Sequence, residues 1–507
     1  MNVKRISKPV VILVIGFIYL TGCTARRSGL EKKSLQPPFP SPEYQELIHQ
    51  GDLYFSKMHL YGWRQAEAFY KKAYEMKPSP QLGDKRFLAL CLTAIREKHE
   101  QIVNPLVYKE IDALAALEDF PKTQKQGYLF EIIQHYRTLP VFRKDGERIA
   151  AKEKKQVDAA WFDLENSPLD TYLFLYFLNY YTYDTKDYNE ELIQLLKTHR
   201  IFELIDKYAM SPLFVFFNYK SIANREAEVE EQFPQFAEFL VFKGNRLFSK
   251  NKLKQASGYY KKVLELIPGY IKASNGIGNI YYFTVKDYET AITYYQQTLD
   301  LDDSNPVALF GKGVSLHYLE KYPESNQVFD FMLANQEMYH GEAYYYKAYN
   351  YYHMKDPVKA RELIDQAKSM LPLSGEVFFL SGLLYYNQGK FKEAERDFLD
   401  SLYDRQFSHC YPLYYLGMVK LKNQDWSFIK DFSDSIRHFE LAVENMSKKL
   451  NEIDLLEVEE HQKEWMKKQQ MAKLQEFKEV SAQLIQQMQS IINKNKRRCQ
   501  AKKCKKM

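Results

Sequence analysis

The chain has 507 residues, 45% of them hydrophobic and 27% charged, a composition that excludes a disordered or collagen-like protein. Its formal charge of +6 is unevenly placed, with Lys4, Arg5 and Lys8 at one end and eight Lys and Arg in residues 494–507 at the other. The remainder carries −5, which argues against a nucleic-acid-binding body.

In chain order, the first 22 residues hold those three basic residues, an apolar run from Val10 to Leu20, and Thr21-Gly22 before Cys23. This is the order of a secretory signal. The run is shorter than the roughly 20 apolar residues that cross a bilayer. Leu20-Thr21-Gly22-Cys23 resembles the bacterial lipobox. The resemblance implies that residues 1–22 are a removed signal peptide and that Cys23 is lipidated. The body would then be lipid-anchored to a bacterial membrane, in the periplasm or at the cell surface. Thr24 after the cysteine favours the outer membrane over the inner. Residues 23–42 contain Pro37, Pro38, Pro40 and Pro42 and read as an extended tether.

A small residue recurs at Gly244, Gly278, Gly313, Ala348, Gly382 and Gly417, in steps of 34, 35, 35, 34 and 35. A second keeps the same beat at Ala256, Ala291, Ser325, Ala360 and Ala394. Four residues beyond each stands Tyr260, Tyr295, Phe329, Ile364 or Phe398. Such a period marks a helical repeat array. The spacing and residue types resemble the tetratricopeptide repeat. The resemblance implies an all-α fold: a right-handed superhelix of helical hairpins, a solenoid followed by a long C-terminal helix. Small residues at these positions are expected to let the two helices of a hairpin approach closely. The expected layout is an N-terminal hairpin at 43–80, a helical region at 81–235, the array at 236–445, a C-terminal helix at 446–493 and a basic tail at 494–507. Within 81–235, residues 171–203 have the outline of an eroded unit. The sixth unit, 410–443, is expected to run through Gly417, Phe439 and Ala442, with an insertion around Asp425-Trp426.

In that family the first helix of each hairpin lines the inner face. Its second, fifth, ninth and twelfth positions point into the groove. The resemblance therefore implies a groove carrying Asn245, Asn275, Asn279, Tyr282, Phe310, Tyr345, Tyr349, Tyr352 and Tyr386, with His317, Phe379, Tyr414 and Met418 beside them. Amides can hydrogen-bond an extended peptide, and Tyr offers a large contact at small entropic cost. The expected function is an interaction scaffold of the cell envelope that binds segments of partner proteins. The alternative is a small-molecule or lipid-binding accessory lipoprotein of a transporter. Some relatives grip a C-terminal carboxylate with Lys and Asn; Val307 and Phe310 stand where this chain would need a base, so that clamp is not expected.

From Met446 to Asn493 there is no Pro and no Gly, and Leu474, Phe477, Ser481, Leu484, Met488 and Ile491 form one apolar stripe. The stripe suits either a cap on the last repeat or a coiled-coil arm. There is no Gly-rich phosphate loop, HExxH or G-x-S-x-G, so no enzyme and no cofactor is expected. His409-Cys410 and the pair Cys499 and Cys504 lack companion ligands, so no metal site is expected either.

Overall fold

A computed structural model describes residues 41–117, 123–139, 155, 157–181, 197–198, 200–215, 224–335, 338–456 and 458–504. The expected signal peptide, Cys23 and nearly all of the tether lie outside the described residues. Every regular element within them is a helix.

The first hairpin begins where the sequence permits it. Ser41 accepts the Tyr44 N–H at 3.2 Å and Pro42 opens α1 (Pro42–Phe55). Its partner α2 (Leu60–Met76) is capped by His59, whose Nδ1 accepts the Gly62 N–H at 3.1 Å. Next come α3 (Pro80–His99), α4 (Pro105–Ala115), α5 (Gln124–Thr138) and α6 (Pro168–Tyr181). Cys91, Ile111, Ile132, Phe174 and Phe177 share their core. Two short helices follow, α7 (Ile201–Lys207) and α8 (Glu226–Gln232). Much of the expected eroded unit at 171–203 lies outside the described residues.

Six antiparallel hairpins then stack in sequence. They are α9 (Ala237–Ser249) with α10 (Leu253–Leu266), α11 (Ile271–Asn279) with α12 (Tyr288–Leu299), and α13 (Pro306–Tyr318) with α14 (Tyr322–Asn335). After them come α15 (His340–His353) with α16 (Pro357–Met370), α17 (Gly375–Asn387) with α18 (Phe391–Ser401), and α19 (Cys410–Lys422) with α20 (Phe428–Glu452). The chain is thus an all-α solenoid of helical hairpins.

The periodic glycines have a specific job. Each faces the aromatic ring of its own second helix: a Cβ on Gly244 would lie 2.6 Å from Tyr260 Cε1, on Gly278 2.8 Å from Tyr295 Cε1, and on Gly313 2.8 Å from Phe329 Cε1. Gly382 stands in the same relation to Phe398, and Gly51 to Tyr70 in the N-terminal hairpin. What occupies the space is therefore a ring, not the neighbouring backbone. The fourth hairpin carries the thinner Ile364 instead of a ring, and there the small residue is Ala348. In the sixth, Gly417 seats Phe432 and not Phe439; α20 begins soon after the turn, and Phe439 packs on Tyr411 and Phe477 further along.

The second hairpin holds one extra residue between glycine and ring, at Gly278 and Tyr295. A π-helical turn, Ile280–Val285, absorbs it.

The N-terminal hairpin continues the stack. The Leu60 N–H donates to buried Glu238 at 3.2 Å, and the Tyr270 hydroxyl donates to Glu100 at 2.6 Å. These contacts tie α2 and α3 to α9 and α11.

The C-terminal segment differs from the expected single helix. It breaks after α20 in a 3₁₀ turn, Ile453–Leu455, and restarts as α21 (Glu460–Cys504), with neither Pro nor Gly at the break. Packing supplies the reason. Ile453, Val458 and Met466 join the buried cluster of Leu253, Ile280 and Val285 in the first two hairpins. Gln462 donates to the Tyr281 hydroxyl at 3.2 Å. From there α21 runs back, and Met488 and Ile492 bury against Cys410, Phe432 and Phe439. The stripe from Leu474 to Ile491 thus faces this protein's own array. The pair α20 and α21 forms a strut from the start of the array to its last hairpin. No helix among the described residues is long and apolar enough to cross a membrane.

Candidate partner-binding site

The first helices of hairpins three to six, α13, α15, α17 and α19, enclose a cavity of about 330 Å³ on the inner face. Its floor is α15. Tyr345, Tyr349 and Tyr352 follow one another at helical spacing, so their rings fall in a row. Ring centroids lie 6.0 Å apart for Tyr345 and Tyr349 and 6.4 Å for Tyr349 and Tyr352, each pair inclined by 17°. The row is half-buried.

A polar network beneath holds α15 in place. His317 Nδ1 lies 2.6 Å from Asn350 Oδ1, while Asn350 Nδ2 donates to Asn326 at 2.8 Å and to Ser325 at 3.0 Å. With both Asn350 donors directed away, its oxygen must accept, which assigns the ring proton of His317 to Nδ1. Burial keeps His317 below its ordinary pKa and hence neutral. Tyr346 also lines the cavity, and its ring stacks on Phe329.

From the opposite wall α17 contributes Phe379, Leu380 and Leu383, with Glu376 at the rim. Phe407 and Tyr411 close the far end. The phenols of Tyr345, Tyr346 and Tyr349 are held in their neutral form. Burial first, and then charges that include Glu376, push Tyr345 well above its ordinary value. The same two causes act on Tyr346 and Tyr349. Glu376 itself is raised, first by the surrounding hydrocarbon and then by Asp404.

Of the residues expected in a groove, Tyr345, Tyr349 and Tyr352 are brought together here, with His317 and Phe379 beside them. Tyr282 lies next door on the π-helical turn, its ring centroid 6.4 Å from that of Tyr318. Phe310 stands behind the wall, stacked on Tyr339 at 4.8 Å. Tyr386 is outside the cavity, edge-on to Tyr415 and Phe391. The three asparagines lie outside this cavity: Asn245 is exposed, Asn279 half-buried and Asn275 buried. Asn245 accepts from Tyr260 at 2.7 Å and Asn279 from Tyr295 at 2.8 Å, so each anchors the ring that its own hairpin seats. Asn275 is buried; it donates to Asn305 at 3.3 Å and accepts from Thr298 at 2.9 Å. Its amide is spent inside the fold. Tyr414 and Met418 are covered by α21, with Tyr414 donating to Gln487 at 3.4 Å.

Sequence reasoning passed over Tyr318, Tyr346, Glu376, Phe407 and Tyr411. Glu376 and Tyr411 occupy the second position of their hairpins, so the groove pattern itself pointed to them. Phe407 sits in the loop between hairpins and left no periodic signal. Among the described residues no group of three His, Cys, Asp or Glu could hold a metal ion.

No family model matches this chain, and no curated protein does. Several solved structures do. One is YrrB, described as a tetratricopeptide protein with an unusual peptide-binding site, at 20% identity over 35% of this chain and 91% of that one, with a TM-score of 0.30. Another is PilF of Pseudomonas aeruginosa, at 16% identity over 40% of this chain and 90% of that one, with a TM-score of 0.36. Yeast Tom70 matches at 16% identity over 92% of this chain and 99% of that one, with a TM-score of 0.32. At these scores none of them bears on the partner.

Proposed function

We propose that this protein is a lipid-anchored interaction scaffold of a bacterial cell envelope. It is held at the membrane, the outer one by preference, through acyl chains on Cys23. Its inner face binds segments of a partner protein. The observation that carries the reading is the row of Tyr345, Tyr349 and Tyr352 in a cavity built by four successive hairpins. Stacked phenols offer apolar faces and hydroxyl donors, the chemistry of peptide recognition. Repeat arrays present such surfaces on a rigid frame. The work of the protein is binding, not catalysis.

Crosslinking in cells, followed by affinity purification and mass spectrometry, tests this reading. Wild type is expected to recover a specific envelope protein. Cys23→Ala is expected to lose it through misplacement, and Tyr349→Ala with Tyr352→Ala through loss of the surface.

The cavity's enclosure favours one second reading, a small-molecule accessory of a transporter, since about 330 Å³ is at the lower end of ligand-site volumes. Release of a stoichiometric small molecule on denaturation would support it.

A further inference from the structure

Glu376 sets the aromatic cavity apart from a plain hydrophobic groove. It lies in the first turn of α17, exposed at the cavity rim. Its carboxylate has no ion pair or hydrogen bond among the described residues, and no Lys or Arg lines the cavity. Burial and the nearby Asp404 make its charge costly, so the carboxylate stands without a compensating cation beside a row of aromatic faces. An aromatic face attracts a cation, and a planar guanidinium can stack on the ring while its fork bonds a carboxylate.

The chain already uses this arrangement internally. The Arg361 guanidinium lies 4.1 Å over the Tyr385 ring, and its Nε donates to Asp365 at 3.3 Å. The cavity repeats the aromatic and the acidic parts of that arrangement and lacks the arginine.

We propose that the cavity receives an arginine side chain from a partner segment. The guanidinium lies on the Tyr345–Tyr349–Tyr352 row and pairs with Glu376. This rests on the partner-groove reading above and names the chemistry of the partner. An apolar side chain would leave Glu376 desolvated and unpaired, which is costly, whereas arginine satisfies both the rings and the charge.

The test uses two fluorescein-labelled octapeptides of alternating alanine with arginine or with citrulline. Citrulline keeps the shape of arginine and removes the charge. Binding to the full chain in detergent is read by fluorescence anisotropy at physiological salt. The arginine peptide is expected to bind at least about tenfold more tightly than the citrulline peptide, a typical gain from a charge-assisted bond. In Glu376→Gln that preference should vanish. Glu376 is exposed, so this variant is expected to keep the wild-type circular dichroism spectrum and melting temperature. Equal binding of the two peptides overturns the arginine assignment, as does a preference that survives Glu376→Gln, or no binding of either. If both bind equally but Tyr349→Ala abolishes binding, the partner groove stands and only the arginine falls. If Tyr349→Ala also leaves the crosslinked partner in place, both fall.

Discussion

Gly311 and Tyr295 belong to adjacent hairpins, and a Cβ on Gly311 would lie 2.5 Å from Cε2 of the Tyr295 ring. The same ring is met from its other side by Gly278, so it is clamped between the glycines of two successive first helices. Tyr260 is held the same way between Gly244 and Gly276. These two rings are fully buried and join hairpin to hairpin.

Gly311→Ala should therefore destabilise the array, although alanine is the better helix former. Overpacking of this kind costs about 1–3 kcal/mol, more than the roughly 1 kcal/mol of helix propensity gained. Denaturant unfolding of the variant is expected to show a lowered midpoint with an unchanged slope. Equal or greater stability would mean that the ring can move aside.

His59 predicts an acid-sensitive joint between the N-terminal hairpin and the array. Burial first, then the charges of Lys57 and Arg96, lower its pKa from 6.5 to about 3. The folded chain therefore refuses a proton that the unfolded chain binds below pH 6.5. The stabilising contribution is complete above that pH and is lost as pH falls toward 3. At pH 5 the loss is about 2 kcal/mol. His59→Asn keeps a capping oxygen without a titrating ring. Between pH 7 and pH 5 it should lose about 2 kcal/mol less stability than wild type. Parallel pH profiles would contradict this.

Met488 is fully buried where the strut meets the sixth hairpin. Met488→Ala should cost about 2–5 kcal/mol if the strut is an integral part of the fold. Hydrogen exchange should then rise in α19 and α21 together. A change confined to α21 would mean that the helix merely rests on the array.

The repeat architecture was legible because steric demands recur. A glycine opposite a ring, or Ala348 opposite Ile364, writes itself into the sequence every 34 or 35 residues. The tyrosine row was legible for the same reason, since groove positions share the period. For Asn275 the groove pattern gave the position and not the burial, since Asn305 and Thr298 engage both ends of its amide, whereas Asn245 and Asn279 give only their oxygens, to Tyr260 and Tyr295. The break at Ile453 was invisible because it arises from long-range burial against Leu253 and Ile280, with no local breaker in the chain. The reassignment from Phe439 to Phe432 has a similar origin, since both phenylalanines lie on α20 and only packing chooses between them.

The central claim is that the tyrosine row is the partner surface. Site-specific photocrosslinking from position 349, in cells carrying the otherwise wild-type chain, tests it most directly. The account predicts a single dominant adduct with an envelope protein, absent when the same photoreactive residue is placed at exposed Val358 on α16. No adduct from position 349, in a chain that is folded and lipidated, together with the same partner crosslinked from position 358, would contradict it.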